Sequence, residues 1–352
     1  MKLAIFSLGG SSSLKILKEA SRLFKDVSMV HIKKTDICLK TKSVELNIDG
    51  NKLKDFDCVY IRGSHKYTNI QSAIAESYLN KAYLPTLPFS FSLTHDKFLT
   101  ALFLRRNNVP IPTTYLVESR NMAKKVFERV QYPIVIKIPS GTHGKGVMFA
   151  DTLESAKSIM DALQVFNQPF IIQEFIESSS EEICDVRAIV CGDKVIACMK
   201  RKASKGELRA NIHMGGTGEN FELNLDQEQV AIRAAKCVGS EICGVDMLIG
   251  REAYVLEVNL SPGLEGISMA TKKNVAKLVA EYLYNKTNEH REKESSVSNL
   301  GEKINEIVTN LNIKAGVIKL PSSVSKMANF INDDEVLIKI KKGIVKIVKS
   351  KE

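Results

Sequence analysis

The chain has 352 residues, of which 44% are hydrophobic and 26% are charged. This composition excludes a disordered chain, and the length exceeds what one core usually holds, so we expect a globular protein of two or three lobes. The formal net charge of +10 favours acidic partners such as nucleotide phosphates, polyanionic substrates or nucleic acid. No apolar run has the length of a signal peptide or approaches the ~18 residues of a membrane span, which predicts a cytoplasmic protein without membrane contact.

The N-terminal part reads as an α/β layer. "KLAIFSL" predicts a buried strand, "GGSSS" a turn, "LKILKEASRLF" a helix, and "FDCVYIRG" a later strand of the same layer. The turn lacks the GxGxxG pattern of a dinucleotide site. The stretch "AYLPTLPFSFSLTHDK" is rich in Pro and Ser and predicts the end of this lobe near residue 90. The seven cysteines form no CxxC pair, which indicates reduced and mostly buried thiols.

A helix is predicted next, with a lysine in its first turn. Thr94 can cap this helix, and its apolar face carries Leu99, Leu102 and Phe103. The two prolines of "NNVPIPTTYLV" prevent the helix from continuing. Lys97 opposes the helix dipole, so it is either a tolerated surface lysine or one that an anion holds.

The stretch "YPIVIKIPSGTHGKGVMFA" places a lysine inside an apolar strand. Lys137 is costly there unless its tip meets water or a negative partner, so we expect an anion beside it. The glycines that follow return directly into the strand "VMFA", and the Walker A pattern is absent. This indicates a Gly-rich hairpin that either covers phosphates with its backbone N–H groups or is an ordinary surface hairpin.

The stretch "EVNLSPGLEG" begins with two polar residues, Glu257 and Asn259, which we expect to lie near Asp246 on the strand before. The strands "VDMLI" and "YVLEVN" are joined by a short turn, whose geometry predicts that Met247 pairs with Leu256 and that Asp246 lies opposite Glu257. Asn259 projects from the same face. Two opposed carboxylates repel unless a cation lies between them, and an all-oxygen set favours Mg²⁺. The alternative is that all three groups simply face solvent.

The ordered set of motifs resembles the ATP-grasp superfamily and, more narrowly, RimK-type L-glutamate ligases. The resemblance covers roughly residues 1 to 285 and rests on "THDK", "VIKIPSGTHGKGV", "IIQEFI", "DVRAIV", "KGELRANIHMGG", "GVDMLI" and "LEVNLSPGLEGI". It implies an α/β and α+β ATP-grasp fold with an N-terminal Rossmann-like lobe. It also implies ligase chemistry, in which a carboxylate takes the γ-phosphoryl group of ATP and an amine attacks the resulting acyl phosphate.

Five segments follow from the pattern and the resemblance. They are an N-terminal pre-ATP-grasp lobe (1–90), a central lobe with the Gly-rich flap (91–170), a C-terminal lobe with the metal site (171–286), a polar linker (287–300) and a small basic module (301–352).

The resemblance also assigns residues to the site. For ATP it implies Lys97, Lys137, Glu174, Phe175, Asp185, Arg209 and Asn211, with Lys137 and Arg209 as catalytic residues. For Mg²⁺, or Mn²⁺ in its place, it implies Asp246, Glu257 and Asn259.

Substrate contacts rest on the residue types alone. Arg62 and Arg187 can bind an amino-acid carboxylate or can be ordinary ion-pair residues, and Ser261 and Gly263 either donate to a substrate or only form the turn.

Two features depart from the RimK-type pattern. Met214 stands where an arginine is common, and the loop between Glu174 and Asp185 is about two residues longer. Substrate identity is therefore open. His143 and His213 have the chemistry of a general base, but each is as well explained as a loop or nucleotide contact.

We therefore expect an ATP- and Mg²⁺-dependent ligase that adds L-glutamate, or another amino acid, to a cofactor tail, a metabolite or a protein C-terminus. The alternative is a catalytically silent ATP-binding module that acts as a regulator.

The last 52 residues are basic, with 10 lysines and 6 acidic residues in 301–352. "INEIVTNLNI" predicts a short helix, and "EVLIKIKKGIVKIVK" predicts a hairpin. The segment faintly resembles the swapped-hairpin module of AbrB-like proteins, which implies a homo-oligomer and nucleic-acid binding through this segment only. The lysines can equally protect exposed strand edges.

Overall fold

The computed structural model describes residues 1–41, 43–138, 146–165, 170–176, 184–202 and 217–298, together with 312–314, 317–319, 324–325, 328, 330–331, 334–341 and 344–349. The chain divides into two compact units, Met1–Lys293 and Glu294–Glu352. The division falls inside the stretch 287–300 that the sequence analysis assigns to a linker. The finer division of the first unit into lobes at residues 90 and 170 stays a prediction. In the described part of the chain, no helix has both the length and the apolar character to cross a membrane.

The N-terminal part contains the predicted strands, and the structure shows that they are parallel. Its elements are β1 (Lys2–Ser7), α1 (Ser11–Ala20), β2 (Asp26–His31), β3 (Thr35–Lys40), β4 (Ser43–Ile48), β5 (Asn51–Lys52), β6 (Cys58–Ile61) and α2 (Thr68–Tyr78), with single 3₁₀ turns at Ile32–Lys34 and His65–Tyr67. β1 lies between β2 and β6 and is parallel to both, while β3, β4 and β5 form a small separate sheet. The predicted strand and helix are confirmed, but α1 begins at Ser11, inside the predicted turn, and ends at Ala20, before "SRLF".

The helix expected after residue 90 differs from the prediction in its cap and in its buried face. There are two helices, α3 (Pro88–His95) and α4 (Lys97–Arg106), and Lys97 does lie in the first turn of the second. Asp96 caps α4 instead of Thr94, because its Oδ1 accepts the N–H groups of the two residues after Lys97 at 2.8 and 2.9 Å. Leu99 and Leu102 are 45% and 53% exposed, so the predicted apolar face is wrong for both, whereas Phe103 is partly buried and packs against the core. The buried side chains of this helix are Thr100 and Leu104.

A second sheet encloses its own apolar core. Its elements are β7 (Thr114–Val117), α5 (Arg120–Phe127), β8 (Ile134–Lys137), β9 (Val147–Ala150), α6 (Leu153–Val165) and β10 (Phe170–Glu174). The sheet is antiparallel with the order β7-β10-β8-β9. Apolar residues of these strands and of α5 and α6 form a separate buried cluster. The Gly-rich stretch lies outside the described residues up to Gly146, which has φ of +77°, a conformation that favours glycine.

The largest sheet is antiparallel, with five strands in the order β13-β12-β11-β14-β15. Its elements are β11 (Cys184–Cys191), β12 (Lys194–Lys202), β13 (Thr217–Asn220), α7 (Leu225–Cys237), β14 (Ile242–Ile249), β15 (Ala253–Asn259), α8 (Glu265–Thr271) and α9 (Val275–Ser298). Its apolar side chains share two buried clusters with those of β1 and β6. The N-terminal sheet and this sheet therefore hold one another in place.

A β-bulge sets the register between β14 and β15. The expectation that Met247 pairs with Leu256 is wrong, because Met247 pairs with Val255 and Leu256 has no opposite residue. Because Leu256 is extra, the register on the far side of the bulge from the turn shifts by one position. The predicted pairing of Asp246 with Glu257 is therefore confirmed. The bulge lies directly beside these two carboxylates.

A second bulge lies in the β11–β12 hairpin. The register shift leaves Ile196 without an opposite residue. In a regular hairpin about the same turn, Asp185 would pair with Lys200. The bulge moves the register by one position, so Asp185 pairs with Arg201.

The second unit contains two short hairpins. Its strands are β16 (Asn312–Lys314), β17 (Val317–Lys319), β18 (Val336–Lys341) and β19 (Ile344–Lys349). β18 and β19 pair antiparallel, which confirms the hairpin predicted from "EVLIKIKKGIVKIVK". The helix predicted from "INEIVTNLNI" lies mainly outside the described residues.

Gly244 gives a test of how closely the turn after β15 packs on β14. A Cβ at Gly244 would lie 2.9 Å from Cβ of Pro262, whose ring cannot rotate away. We expect Gly244→Ala to lower the free energy of unfolding by about 1–3 kcal/mol, measured by urea denaturation. Gly263→Ala is the matched control, because nothing lies within 4 Å of the added atom. An equal loss of stability in both variants would contradict this packing.

Candidate active site

A buried aspartate lies in the middle of the five-stranded sheet and is held by two arginines. Arg187, directly opposite on β11, donates from Nε to Oδ1 of Asp246 and from Nη2 to Oδ2, both at 2.6 Å. Arg201 on β12 donates from Nη2 to the same Oδ2 at 2.8 Å. Arg201 also forms a bidentate pair with Asp185, with Nε 2.7 Å from Oδ1. Positive and negative side chains thus alternate across three neighbouring strands.

The two guanidinium groups keep Asp246 ionised. Burial alone would favour its neutral form, but the attraction of Arg187 and Arg201 is stronger and holds the pKa of the carboxyl below its usual range. Oδ2 receives two N–H groups, whereas Oδ1 receives one, and a carboxylate oxygen has two acceptor positions. Oδ1 therefore keeps the capacity to bind one more positive partner.

Glu257 and Asn259 lie beside Asp246 on the next strand. Glu257 pairs with Asp246 across the ladder, and its side chain is 46% exposed, with Oε1 4.0 Å from Nη2 of Arg187. Partial burial and the neighbouring Asp246 carboxylate raise the pKa of Glu257. Asn259, two residues further along the same face, accepts one N–H at Oδ1, from Ser261 at 3.0 Å. Both side chains retain free acceptor capacity.

The charge of Glu257 affects the pKa of two lysines that lie on other elements. Burial lowers the pKa of Lys97 on α4, and the charges of Glu257 and Asp96 oppose that shift. Burial also lowers the pKa of Lys137 on β8 to about 8, with Glu257 opposing the shift and Lys97 adding repulsion. The charge of Glu257 thus acts on Lys137, and the anion expected at the tip of this lysine stays a prediction. Two partly desolvated lysine side chains of this kind can stabilise the negative charge of phosphate groups.

A chain of hydrogen bonds orients Lys137. Its Nζ donates to Oε1 of Gln173 on the adjacent strand β10. Gln173 donates in turn from Nε2 to Oγ1 of Thr114 at 2.9 Å, and Thr114 donates to the carbonyl of Pro112 at 2.7 Å. Because Thr114 uses its own proton on the carbonyl, it accepts from the amide, and the amide oxygen of Gln173 then faces the lysine.

Arg62 anchors the turn that follows Asn259. Its Nη2 donates to the carbonyl of Pro262 at 2.7 Å, its Nη1 to the hydroxyl of Tyr60 at 2.9 Å and its Nε to Oγ of Ser13 at 3.2 Å. The residue is only 4% exposed. These contacts give Arg62 a role in holding the turn, and its predicted contact with a substrate carboxylate stays a prediction.

Further hydrogen bonds hold the same turn against the N-terminal part. Gly63 donates its N–H to Oγ of Ser261 at 3.0 Å, and Leu264 donates its N–H to Oγ of Ser12 at 2.9 Å. Asn259 accepts the N–H of Ser261 within the turn. The position of the Asn259 side chain therefore depends on residues about 200 positions earlier in the chain.

The donor set fits a hard divalent cation. Asp246, Glu257 and Asn259 offer only oxygen atoms, and each retains acceptor capacity on one face of the sheet. Among the residues that the structure describes, no three His, Cys, Asp or Glu side chains form a group that could hold a metal ion. The three proposed ligands are two carboxylates and one amide. Three protein ligands leave coordination positions for phosphate oxygens.

The remaining predicted residues lie at several places. Glu174 and Phe175 lie at the end of β10, where the Glu174 N–H donates to the carbonyl of Thr113 and the Phe175 ring packs edge-on against Phe149 at 6.2 Å. Arg209 and Asn211 lie outside the described residues, as do His143, His213 and Met214. Their assigned roles remain predictions.

Sequence reasoning missed Arg201 and Gln173. Arg201 lies in the run "KRKASKG", which looks like a solvated face, yet the residue is only 6% exposed. Its pairing with Asp185 depends on the bulge at Ile196, which the sequence does not signal. Gln173 lies on β10 two residues from Ile171, which pairs with Lys137, and this relation follows from the strand pairing and not from the sequence.

Solved structures of ATP-grasp proteins have a similar fold. The ATP-grasp ligase PsnB, complexed with minimal precursor, Mg and ADP, matches with a TM-score of 0.64 and 16% identity, over 82% of this chain and 98% of that chain. A RimK domain ATP-grasp protein from Sphaerobacter thermophilus DSM 20745 matches with a TM-score of 0.61 and 16% identity, over 80% of this chain and 99% of its own. The predicted ATP-grasp fold is confirmed.

Sequence comparison defines the family. Residues 94–283 match the model of the RimK-like ATP-grasp domain. A curated relative, the probable alpha-L-glutamate ligase of Cellvibrio japonicus (strain Ueda107), is 33% identical over 288 residues, which cover 80% of this chain and 95% of the relative. The chain belongs to the RimK-like ATP-grasp family, and it is an ATP-dependent ligase.

The depressed pKa of Lys137 predicts a pH-dependent stability. Its value of about 8 lies below the ordinary 10.5, so folding penalises the protonated form. This penalty is fully present below pH 8 and disappears as the pH rises through 10.5. We expect Lys137→Met to stabilise the ligand-free protein by about 1–3 kcal/mol at pH 7, and the gain to shrink towards pH 10.5, measured by urea denaturation.

The control for this variant is Lys125→Met, which replaces an exposed lysine on α5. It leaves the stability within about 0.5 kcal/mol at both pH values. A gain from Lys137→Met that is equal at pH 7 and at high pH would mean that packing, and not charge, causes it.

Proposed function

We propose that the protein uses Mg²⁺ and ATP to join L-glutamate to an acceptor through an amide bond. The observation that carries the proposal is the oxygen cluster of Asp246, Glu257 and Asn259 in the electric field of Lys97 and Lys137. Phosphoryl transfer needs positioned cations around developing negative charge, and binding alone does not need this arrangement. The choice of glutamate is supported by the name of the curated relative, a probable alpha-L-glutamate ligase.

The proposed reaction has two steps. First, a carboxylate oxygen attacks the γ-phosphorus of ATP, the bond from that phosphorus to the bridging oxygen breaks, and ADP leaves. Then the amine nitrogen attacks the acyl carbon, the bond to the phosphate oxygen breaks, inorganic phosphate leaves, and the nitrogen loses a proton. Each step moves charge onto phosphate oxygens, which nearby cations stabilise.

The residues divide this work. Asp246, Glu257 and Asn259 would hold Mg²⁺, which when bound neutralises phosphate charge. Lys97 and Lys137 bind the phosphates, and Gln173 orients Lys137. The hydroxyl of Ser261 accepts the N–H of Gly63 and keeps its own proton for a substrate oxygen close to Asn259. The acceptor remains open among a cofactor tail, a metabolite and a protein or peptide terminus, since the solved neighbours include ligases complexed with precursor peptides.

The function is tested by ADP release and product mass together. Purified protein with Mg-ATP and single amino acids, with and without a metabolite extract and candidate peptides, is expected to release ADP with glutamate and an acceptor. The acceptor then gains the mass of one or more glutamyl residues. ADP release that occurs with a different amino acid and not with glutamate would overturn the choice of glutamate.

Variants of the cluster test the site in the same assay. Glu257→Gln and Asn259→Ala are expected to lower Mg²⁺-dependent turnover by about a hundredfold or more while the thermal melting curve stays cooperative. Glu252→Gln, an exposed change in the turn before β15, is the matched control and keeps turnover. Full activity in either cluster variant would remove the proposed metal site.

We also propose that the second unit joins two copies of the chain. It lies beyond the matched family domain, which ends at residue 283. In the β18–β19 hairpin, Leu337, Ile338 and Val345 are 53%, 51% and 52% exposed. A two-stranded hairpin is marginal alone, so burial of such residues against a second copy would stabilise it.

Truncation tests this association. Removal of residues 299–352 leaves α9 whole and is expected to convert the oligomer to a monomer in light scattering, with Mg-ATP turnover retained. If the number of chains per particle does not change, the proposal is contradicted. If that number does not change and retention on a DNA column is lost, the second unit binds nucleic acid instead.

A further inference from the structure

Arg201 is shared by two buried carboxylates on two different strands. It pairs side by side with Asp185 on β11, and its Nη2 also donates to Oδ2 of Asp246 on β14 at 2.8 Å. The side chains of Arg201, Asp185 and Asp246 are 7%, 17% and 4% exposed. Ion pairs at this depth keep much of their strength because little water screens them.

The charges of this network balance. Asp185 and Asp246 carry two negative charges, and Arg187 and Arg201 carry two positive charges. Glu257, 46% exposed and 4.0 Å from Arg187, adds a negative charge beside this balanced set. Without Arg201, two buried carboxylates would depend on one guanidinium, and Arg187 would be drawn between them.

The bonds of Arg201 decide which oxygen of Asp246 remains open. Arg201 and Arg187 both donate to Oδ2, whereas Oδ1 receives one N–H. A carboxylate fixed in this way presents Oδ1 with a defined orientation. Partners behind metal ligands commonly act in this manner, by fixing the ligand and not by touching the metal.

We infer that Arg201 is a positioning residue of the metal site: supported by Asp185, it fixes the Asp246 carboxylate so that Oδ1 faces a divalent cation held with Glu257 and Asn259. This inference rests on the proposed function, because it requires a metal at these three residues. Arg201 itself touches neither substrate nor metal. Its role is to raise the affinity of the site for the cation.

The test is Mn²⁺ binding in the presence of ADP, followed by electron paramagnetic resonance of free Mn²⁺. Arg201→Lys keeps the charge but cannot serve both carboxylates with a planar fork. We expect it to weaken Mn²⁺ binding by about 10- to 100-fold, with the affinity for ADP in EDTA unchanged. In turnover, the KM for Mg²⁺ rises by a similar factor and kcat recovers at saturating Mg²⁺.

A second variant keeps the test valid if Arg201→Lys does not fold. Asp185→Asn with Arg201→Gln removes one negative and one positive charge together and leaves the pair of Arg187 and Asp246 intact. It is expected to weaken Mn²⁺ binding to a similar degree. Arg120→Lys is the matched control, because that arginine forms an exposed ion pair with Asp161 at 2.9 Å.

The outcomes separate the inference from the proposed function. Wild-type protein that binds no Mn²⁺ would refute the metal site itself. Wild-type protein that binds Mn²⁺, with folded variants that bind it equally well, would refute the role of Arg201 alone. A loss of kcat that persists at saturating Mg²⁺ would also overturn it, because that result would require direct contact with the reacting groups.

Discussion

The charge balance around one buried carboxylate constrains the rest of the site. Asp246 is ionised inside the sheet, and a buried charge without partners would cost several kcal/mol. Arg187 and Arg201 supply those partners from two further strands, so β11, β12 and β14 must keep their register for the charge to be tolerated. The β-bulges in the β11–β12 and β14–β15 hairpins produce that register. β15, which pairs with β14, then places Glu257 at the open edge of the charge network.

The candidate active site is assembled from segments that are far apart in the chain. The five-stranded sheet supplies the oxygen cluster, α4 supplies Lys97 and β8 supplies Lys137. The N-terminal part supplies no member of the cluster, but Arg62 and Ser12 hold the turn that begins at Asn259. Burial lowers the pKa of both lysines, so an anion bound beside them would relieve an existing penalty.

Part of the site was predictable because it rests on local patterns. Asp246 and Glu257 follow from two short strands with one turn, and Lys137 is conspicuous because it interrupts an apolar strand. Arg201 was not predictable, because the bulge at Ile196 changes its partner by one position. The cap of α4 was misassigned for a similar reason: Thr94 and Asp96 both suit a cap, and only the path of the backbone between α3 and α4 selects Asp96.

The sequence by itself determined the order of strands and helices, the oxygen character of the cluster and the resemblance to ATP-grasp ligases, because periodicity and local motifs encode these. The tertiary structure alone decided which cations face which carboxylates. That choice depends on the two bulges and on the contact of Arg62 with Pro262, about 200 residues away. Register and long-range packing are settled by the sum of many weak contacts over the whole sheet, and no short stretch of sequence contains them.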